Sequence, residues 1–140
     1  MILVPIKIDK WHIFAYCRSD RSCDFLEWIA KLDTKNQKSW EKLLAILDMI
    51  AKMPQGPSRL PDAICHQIDK ENQIYEFIAG RLRLLWFYSS KERKVIICTN
   101  AFMKKSRKTP KKEIKQAVAI KKRYIEEQRK QSIKIIEQLS

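Results

Sequence analysis

The sequence predicts an α+β domain: a small antiparallel sheet of about four strands packed with two N-terminal helices and one C-terminal helix. Three observations carry that reading. An apolar stripe at helical spacing runs from Trp40 to Ala51, three strand-like segments follow one another between Gln73 and Phe102, and Thr109-Pro110 opens a last helical pattern. The 140 residues suit a single domain over 1–140, with about 130–140 as a frayed or extended tail. A chain of this size buries well over half of its unfolded surface and needs no metal or disulfide staple.

Taken in order, Trp11 to Cys17 is rich in β-forming residues and reads as a first strand. A short helix is expected near Ser22 to Leu32, where Phe25, Leu26, Ile29 and Leu32 share a face. Thr34 with Gln37 three residues on forms a capping box, and Trp40, Leu43, Leu44, Leu47, Ile50 and Ala51 then repeat at helical spacing. Pro54 and Gly56-Pro57 end that helix. Residues 57–72, punctuated by Pro57 and Pro61, read as a loop with little regular structure.

Strands are expected at Gln73 to Ala79, Arg81 to Ser89 and Lys94 to Phe102, with turns at Gly80 and Ser89 to Arg93; antiparallel pairing of neighbours is the simplest arrangement. Alternation puts Arg81, Arg83, Leu85 and Phe87 on one face of the middle strand, and Leu82, Leu84, Trp86 and Tyr88 on the other. An unpaired buried arginine is costly, so the two arginines should reach a cleft or a carboxylate. Thr109 as N-cap, Pro110 at the first helical position and Glu113 near the positive end of the dipole start the last helix; Ile114, Ala117, Val118 and Ile125 give its packing stripe.

Composition narrows the function. Two glycines cannot build a Gly-rich phosphate loop. Cys17, Cys23, Cys65 and Cys98 show no zinc-ligand spacing with His12 and His66, and read as buried reduced thiols; neither a metal nor a cofactor is expected. Met1 to Ile8 is too short for a secretory segment, and Leu84 to Tyr88 is far short of a membrane span, so a cytoplasmic protein without membrane contact is expected. The net charge is +13, and residues 101–140 alone hold 13 basic against 4 acidic residues. A positive field so concentrated favours a polyanion, RNA above all.

Among the chemistry-bearing residues, the strand arginines Arg81 and Arg83 and the run Lys104, Lys105, Arg107 and Lys108 stand out. Such a cluster suits metal-free cleavage of RNA, in which the substrate's own 2′-hydroxyl is the nucleophile. Arginine grips a phosphate bidentately, and a lysine crowded by other cations ionises closer to neutrality. His12 and His66 lie far from the basic run in sequence. Glu76 can pair with Arg81 or Arg83 as a structural salt bridge, or serve as a general base.

The segments Ile74-Tyr-Glu-Phe-Ile-Ala-Gly80, Arg81-Leu-Arg-Leu-Leu-Trp-Phe-Tyr88 and Phe102-Met-Lys-Lys-Ser-Arg-Lys-Thr-Pro110, with Glu113, Ile114 and Ala117, resemble the RelE/ParE toxin superfamily. The HigB-type branch, related to phage-derived toxins, fits best over about residues 40–127. The resemblance implies a RelE-like fold and the toxin of a type II toxin–antitoxin pair, a metal-independent endoribonuclease that cleaves mRNA on the ribosome. Its partners would be the ribosome, mRNA and a cognate antitoxin of helix-turn-helix type.

Arg83 matches the family's phosphate-contacting strand arginine, and Lys104, Lys105 and Lys108 match its basic string. The candidate catalytic set is Arg83, Lys105, Lys108 and Arg81, with Lys104, Arg107, Lys111, Lys112 and Tyr124 as RNA contacts; Tyr124 is either a base-stacking or proton-donating group or a packed core residue. Ile78 stands where the branch commonly has arginine, and Arg81 is the candidate to replace that cation. Thr99 to Phe102 lacks the histidine and aspartate functional in some relatives. Two other classes stay open: a ParE-like gyrase poison without enzymatic activity, and a basic nucleic-acid-binding module.

Overall fold

In the computed structural model, which describes residues 1–19 and 22–137, seven strands form one mixed sheet with helices on both faces. The strands are β1 (Ile2–Ile8), β2 (His12–Cys17), β3 (Cys65–Asp69), β4 (Ile74–Ala79), β5 (Leu82–Tyr88), β6 (Val95–Met103) and β7 (Lys134–Ile135), arranged β3-β4-β5-β6-β2-β1-β7. The helices are α1 (Asp24–Ala30), α2 (Thr34–Lys52) and α3 (Lys111–Lys130), and a 3-10 turn covers Gly56–Arg59.

The expected meander is present as antiparallel β4, β5 and β6. The sheet around it is wider than four strands and not wholly antiparallel. β1 pairs antiparallel with β2, but β2 runs parallel to β6 and β7 parallel to β1. β3 lies inside the stretch read as loop, paired with β4 from Cys65↔Phe77 to Asp69↔Ile74. Its five residues include His66, Gln67 and Asp69, too polar to register as a strand locally. β1 was hidden by Pro5, which sits beside a bulge where a missing amide is tolerated. The tail does not fray at Lys130: Gln131 takes a left-handed conformation (φ 57°), and Lys134–Ile135 then pair with Ile2 and Leu3. Residues 138–140 of the expected tail lie outside the described residues.

Strand alternation sorts the core into two layers. Leu82, Leu84 and Trp86 pack with Leu43, Leu47 and Ile50 of α2, whereas Leu85 and Phe87 pack with Ala117, Ile120 and Tyr124 of α3. Trp86 is stacked between Tyr75 and Phe77, with ring centroids 4.6 and 4.7 Å away. The α3 stripe is therefore rotated from expectation, and Ile125 is left exposed. Two caps also differ. Asp33, not Thr34, caps α2 by accepting from the Asn36 amide at 2.9 Å; the Gln37 side chain instead donates to the Ile29 and Leu32 carbonyls and ties α1 to α2. Pro110 occupies the N-cap of α3, because the Thr109 hydroxyl is engaged elsewhere.

Cys17 and Cys23 form a disulfide across the β2–α1 connection, which corrects the reading of four reduced thiols: the chain reversal brings their Cα atoms to 4.3 Å. Cys65 and Cys98 are free and buried. Among the described residues no helix is long and apolar enough to cross a membrane.

Burial pushes the Cys65 thiol up to about 12, and raises Cys98, Tyr88 and Tyr124 as well. Each of these acids holds its proton to higher pH when folded than when unfolded. The stability they contribute is present below the ordinary thiol value and is lost as pH rises through and beyond it. Urea melts should therefore show constant stability near about pH 7–8 and a decline from about pH 9 upward, shallower in Cys98→Ala. Without reductant, the unfolded chain should expose two reactive thiols rather than four.

Candidate nucleic-acid interface

The β4–β5 turn sets one edge of the candidate site. Ala79 pairs with Leu82, so Gly80 and Arg81 make a two-residue hairpin turn with positive φ only at its first position. Gly80 is required there twice over: its φ is +60°, and a Cβ would lie 2.9 Å from Ser39 Oγ of α2. Just past the β5–β6 ladder, the Lys104 amide donates to the Arg81 carbonyl at 2.8 Å, which brings Arg81 and Lys104 side by side. The Arg83 guanidinium folds back over the turn, donating to the Gly80 carbonyl at 2.6 Å and the Leu82 carbonyl at 3.1 Å.

Arg81, Arg83, Lys104, Lys105 and Arg107, with Ser106, line an open cleft of about 510 Å³. Five of the predicted cations thus converge, although Arg81 and Arg107 are 26 residues apart. Lys108 and Lys111 are exposed nearby but do not line the cleft, and Lys112 lines a neighbouring groove. Tyr124 does not join them. It is 2% exposed, lies against Phe87, and its hydroxyl is 2.8 Å from Ser89 Oγ. The buried stripe of α3 takes it into the core, where no base can stack on it. Among the described residues no group of three or more His, Cys, Asp or Glu is placed to hold a metal ion.

Behind the cleft lies a group that the sequence only half revealed. Glu76 is fully buried, and its Oε2 accepts from the Thr109 hydroxyl at 2.9 Å. Its Oε1 is 3.6 Å from Arg83 Nε and 3.5 Å from His66 Nε2. The Arg83 partner was foreseen; His66 was not. It stands directly across from Glu76 on β3, with its Nδ1 3.2 Å from the Asp62 carbonyl. Since that carbonyl only accepts, Nδ1 carries a proton, and the pair with Glu76 becomes ionic when Nε2 is protonated as well. In sequence His66 lies in a polar segment that reads as loop, and only the Asp69–Asn72 turn after it is marked locally. At 3.6 Å the Arg83–Glu76 contact is an ion pair rather than a hydrogen bond, and Arg83 Nε and Glu76 Oε1 have no hydrogen-bond partner. Burial holds the Arg83 guanidinium below its ordinary value, and Glu76 acts in the opposite direction. His12 is remote, packed edge-on to Phe14 at the start of β2.

Removing the Glu76 charge strands a largely buried guanidinium. Glu76→Gln should cost about 3 kcal/mol, toward the low end for such a loss because one end of Arg83 reaches the cleft. Arg81→Ala, at an exposed position, should stay within about 0.5 kcal/mol. Urea unfolding of the two variants checks this, and wild-type stability in Glu76→Gln would refute the buried pair.

A profile of the family described as phage derived protein Gp49-like (DUF891) matches residues 27–122. The match spans α2, the β3–β6 strands, the basic loop and more than half of α3. No curated protein matches the chain significantly. With more than half of its length covered, site included, the chain belongs to the phage-derived Gp49-like family.

Proposed function

We propose that the protein is the toxin of a type II toxin–antitoxin pair, of the HigB-type branch, and that it cleaves mRNA on the ribosome. The observation that carries the reading is the cleft in which Arg81, Arg83, Lys104, Lys105 and Arg107 converge over a buried carboxylate. The resemblance of the Phe102–Pro110 string to that branch supports it, as does membership of a phage-derived family.

In this mechanism the 2′-oxygen of the substrate attacks the adjacent phosphorus, the 5′-oxygen of the next nucleotide leaves, and a cyclic phosphate forms. One proton departs the 2′-hydroxyl and one is delivered to the leaving oxygen. Arg83 is held at the turn by two carbonyls and by Glu76, so its position is prepaid before substrate arrives. It grips the non-bridging phosphate oxygens, with Arg81 as the second cation where the branch commonly has arginine at Ile78. Lys105, exposed on the loop and surrounded by other cations, is the candidate for proton transfer. An antitoxin that covers the positive cleft would silence the site.

A second reading is a basic nucleic-acid-binding module, because arginines, lysines and a serine also serve binding without cleavage. Primer extension on an mRNA translated in a reconstituted system separates the two. Wild type should cut within codons only when ribosomes are present. Lys105→Ala should lower cutting by roughly 100-fold or more with ribosome affinity retained. Arg83→Ala should abolish cutting, but must be read beside its melting curve, since it also strands Glu76. Absence of cuts with folded protein and active ribosomes would turn the assignment to the binding module.

A further inference from the structure

We infer that the groove along the free edge of β6 is a nucleobase pocket that seats a base beside the scissile phosphate; this rests on the RNA reading of the cleft. β6 pairs with β2 only as far as Ala15↔Cys98, so Thr99–Met103 have β5 alone as a strand neighbour. Their second edge is open, with backbone donors and acceptors that no strand covers. The β5–β6 register also shifts here: Trp86 faces Cys98, Leu85 faces Asn100, and Thr99 is the extra residue. Such a bulge re-aims the side chains that follow it. Asn100 and Phe102 thereby turn toward the start of α3, while Ala101 and Met103 pack on the α1–α2 side with Trp28.

The result is a groove of about 460 Å³ with Trp28 on one wall and Phe102 and Glu113 on the other. It shares Lys105 and Ser106 with the cation cleft, so a strand whose phosphate lies in the cleft has its neighbouring base at the groove. Across Trp28, Ala101 and Glu113, which line both, it adjoins a smaller space of about 230 Å³ that includes Asn100. Aromatic walls beside a cationic track are the equipment that binds single-stranded nucleic acid.

The polar end selects among bases. Asn100 Nδ2 donates to the Glu113 carbonyl at 3.2 Å and to Glu113 Oε1 at 3.4 Å, which steadies a half-buried carboxylate at the groove. An ionised carboxylate only accepts, so it favours a base with an exocyclic amino group over uracil, whose single N–H donor is flanked by two carbonyl oxygens that the carboxylate repels. Trp28 supplies the stacking face, and Lys112 stands at the rim.

The test uses short labelled RNAs, 2′-O-methylated to prevent cleavage, as oligo-C and oligo-U. Fluorescence anisotropy should show Trp28→Ala weaker by roughly tenfold at an unchanged salt slope, with Trp28→Phe retaining most of the affinity. Glu113→Gln should narrow the preference for oligo-C over oligo-U. Ultraviolet crosslinking of wild-type protein, which depends on no variant, should map to peptides containing Trp28 or Phe102. Equal binding by folded Trp28→Ala, or crosslinks confined to other faces, would overturn the pocket while leaving the cleft intact. No binding by wild type at any salt concentration would overturn the pocket, whereas the RNA reading of the cleft falls separately, on the absence of ribosome-dependent cuts in primer extension.

Discussion

The candidate site is organised around one buried carboxylate. Glu76 sits on the central part of β4, fully removed from water, and meets His66 from β3, Arg83 from β5 and Thr109 from the loop before α3. A lone buried carboxylate would be expensive, and these three partners offset that cost. In return, three segments far apart in sequence are held in one register. The strand arginine is held against the sheet, and the basic loop is anchored at its far end by Thr109. The cationic cleft therefore has a rigid rear wall, although most of its cations sit on an exposed loop.

That anchoring addresses a general difficulty of cationic sites. Like charges brought together repel, and long side chains lose entropy when ordered. Arg83 accepts little of either penalty at the moment of binding, because Gly80, Leu82 and Glu76 already engage it. Lys104 gains its place through its backbone, by the amide bond to the Arg81 carbonyl, and its side chain stays unconstrained by that contact. The 3.6 Å contact between Arg83 and Glu76 is an ion pair without a hydrogen bond, so the guanidinium is not locked to the carboxylate. The β6 bulge supplies the second constraint: one extra residue at Thr99 turns the strand end outward and aims Asn100 at the α3 terminus.

Much of this was legible in the residues. The β4–β5–β6 meander, the α2 stripe and the division of β5 into two faces follow from periods of two and 3.6 and from Gly80 as a turn. The cluster of cations was legible as composition, and five of its members do line one cleft. What failed was local in a different sense. β3 and β1 lack clean alternation, Thr34 was chosen over the adjacent Asp33, and α3 was assigned a stripe through Ile125 when it packs through Tyr124. In the last two of these, two neighbouring residues could satisfy the same local rule, and packing selected between them. The Cys17–Cys23 disulfide was likewise invisible, since spacing says nothing of how a chain reverses.

The sequence by itself determined the α+β class, the sequential meander and the concentration of positive charge after its last strand, because each is written in contiguous residues. Only the tertiary structure decided that β2 would run parallel to β6, that β6 would keep an open edge beyond Cys98, and that His66, Glu76, Arg83 and Thr109 would meet. Those outcomes depend on strand pairing across long loops. A one-residue change of register would send Glu76 to the opposite face of the sheet, and no short-range pattern records that choice.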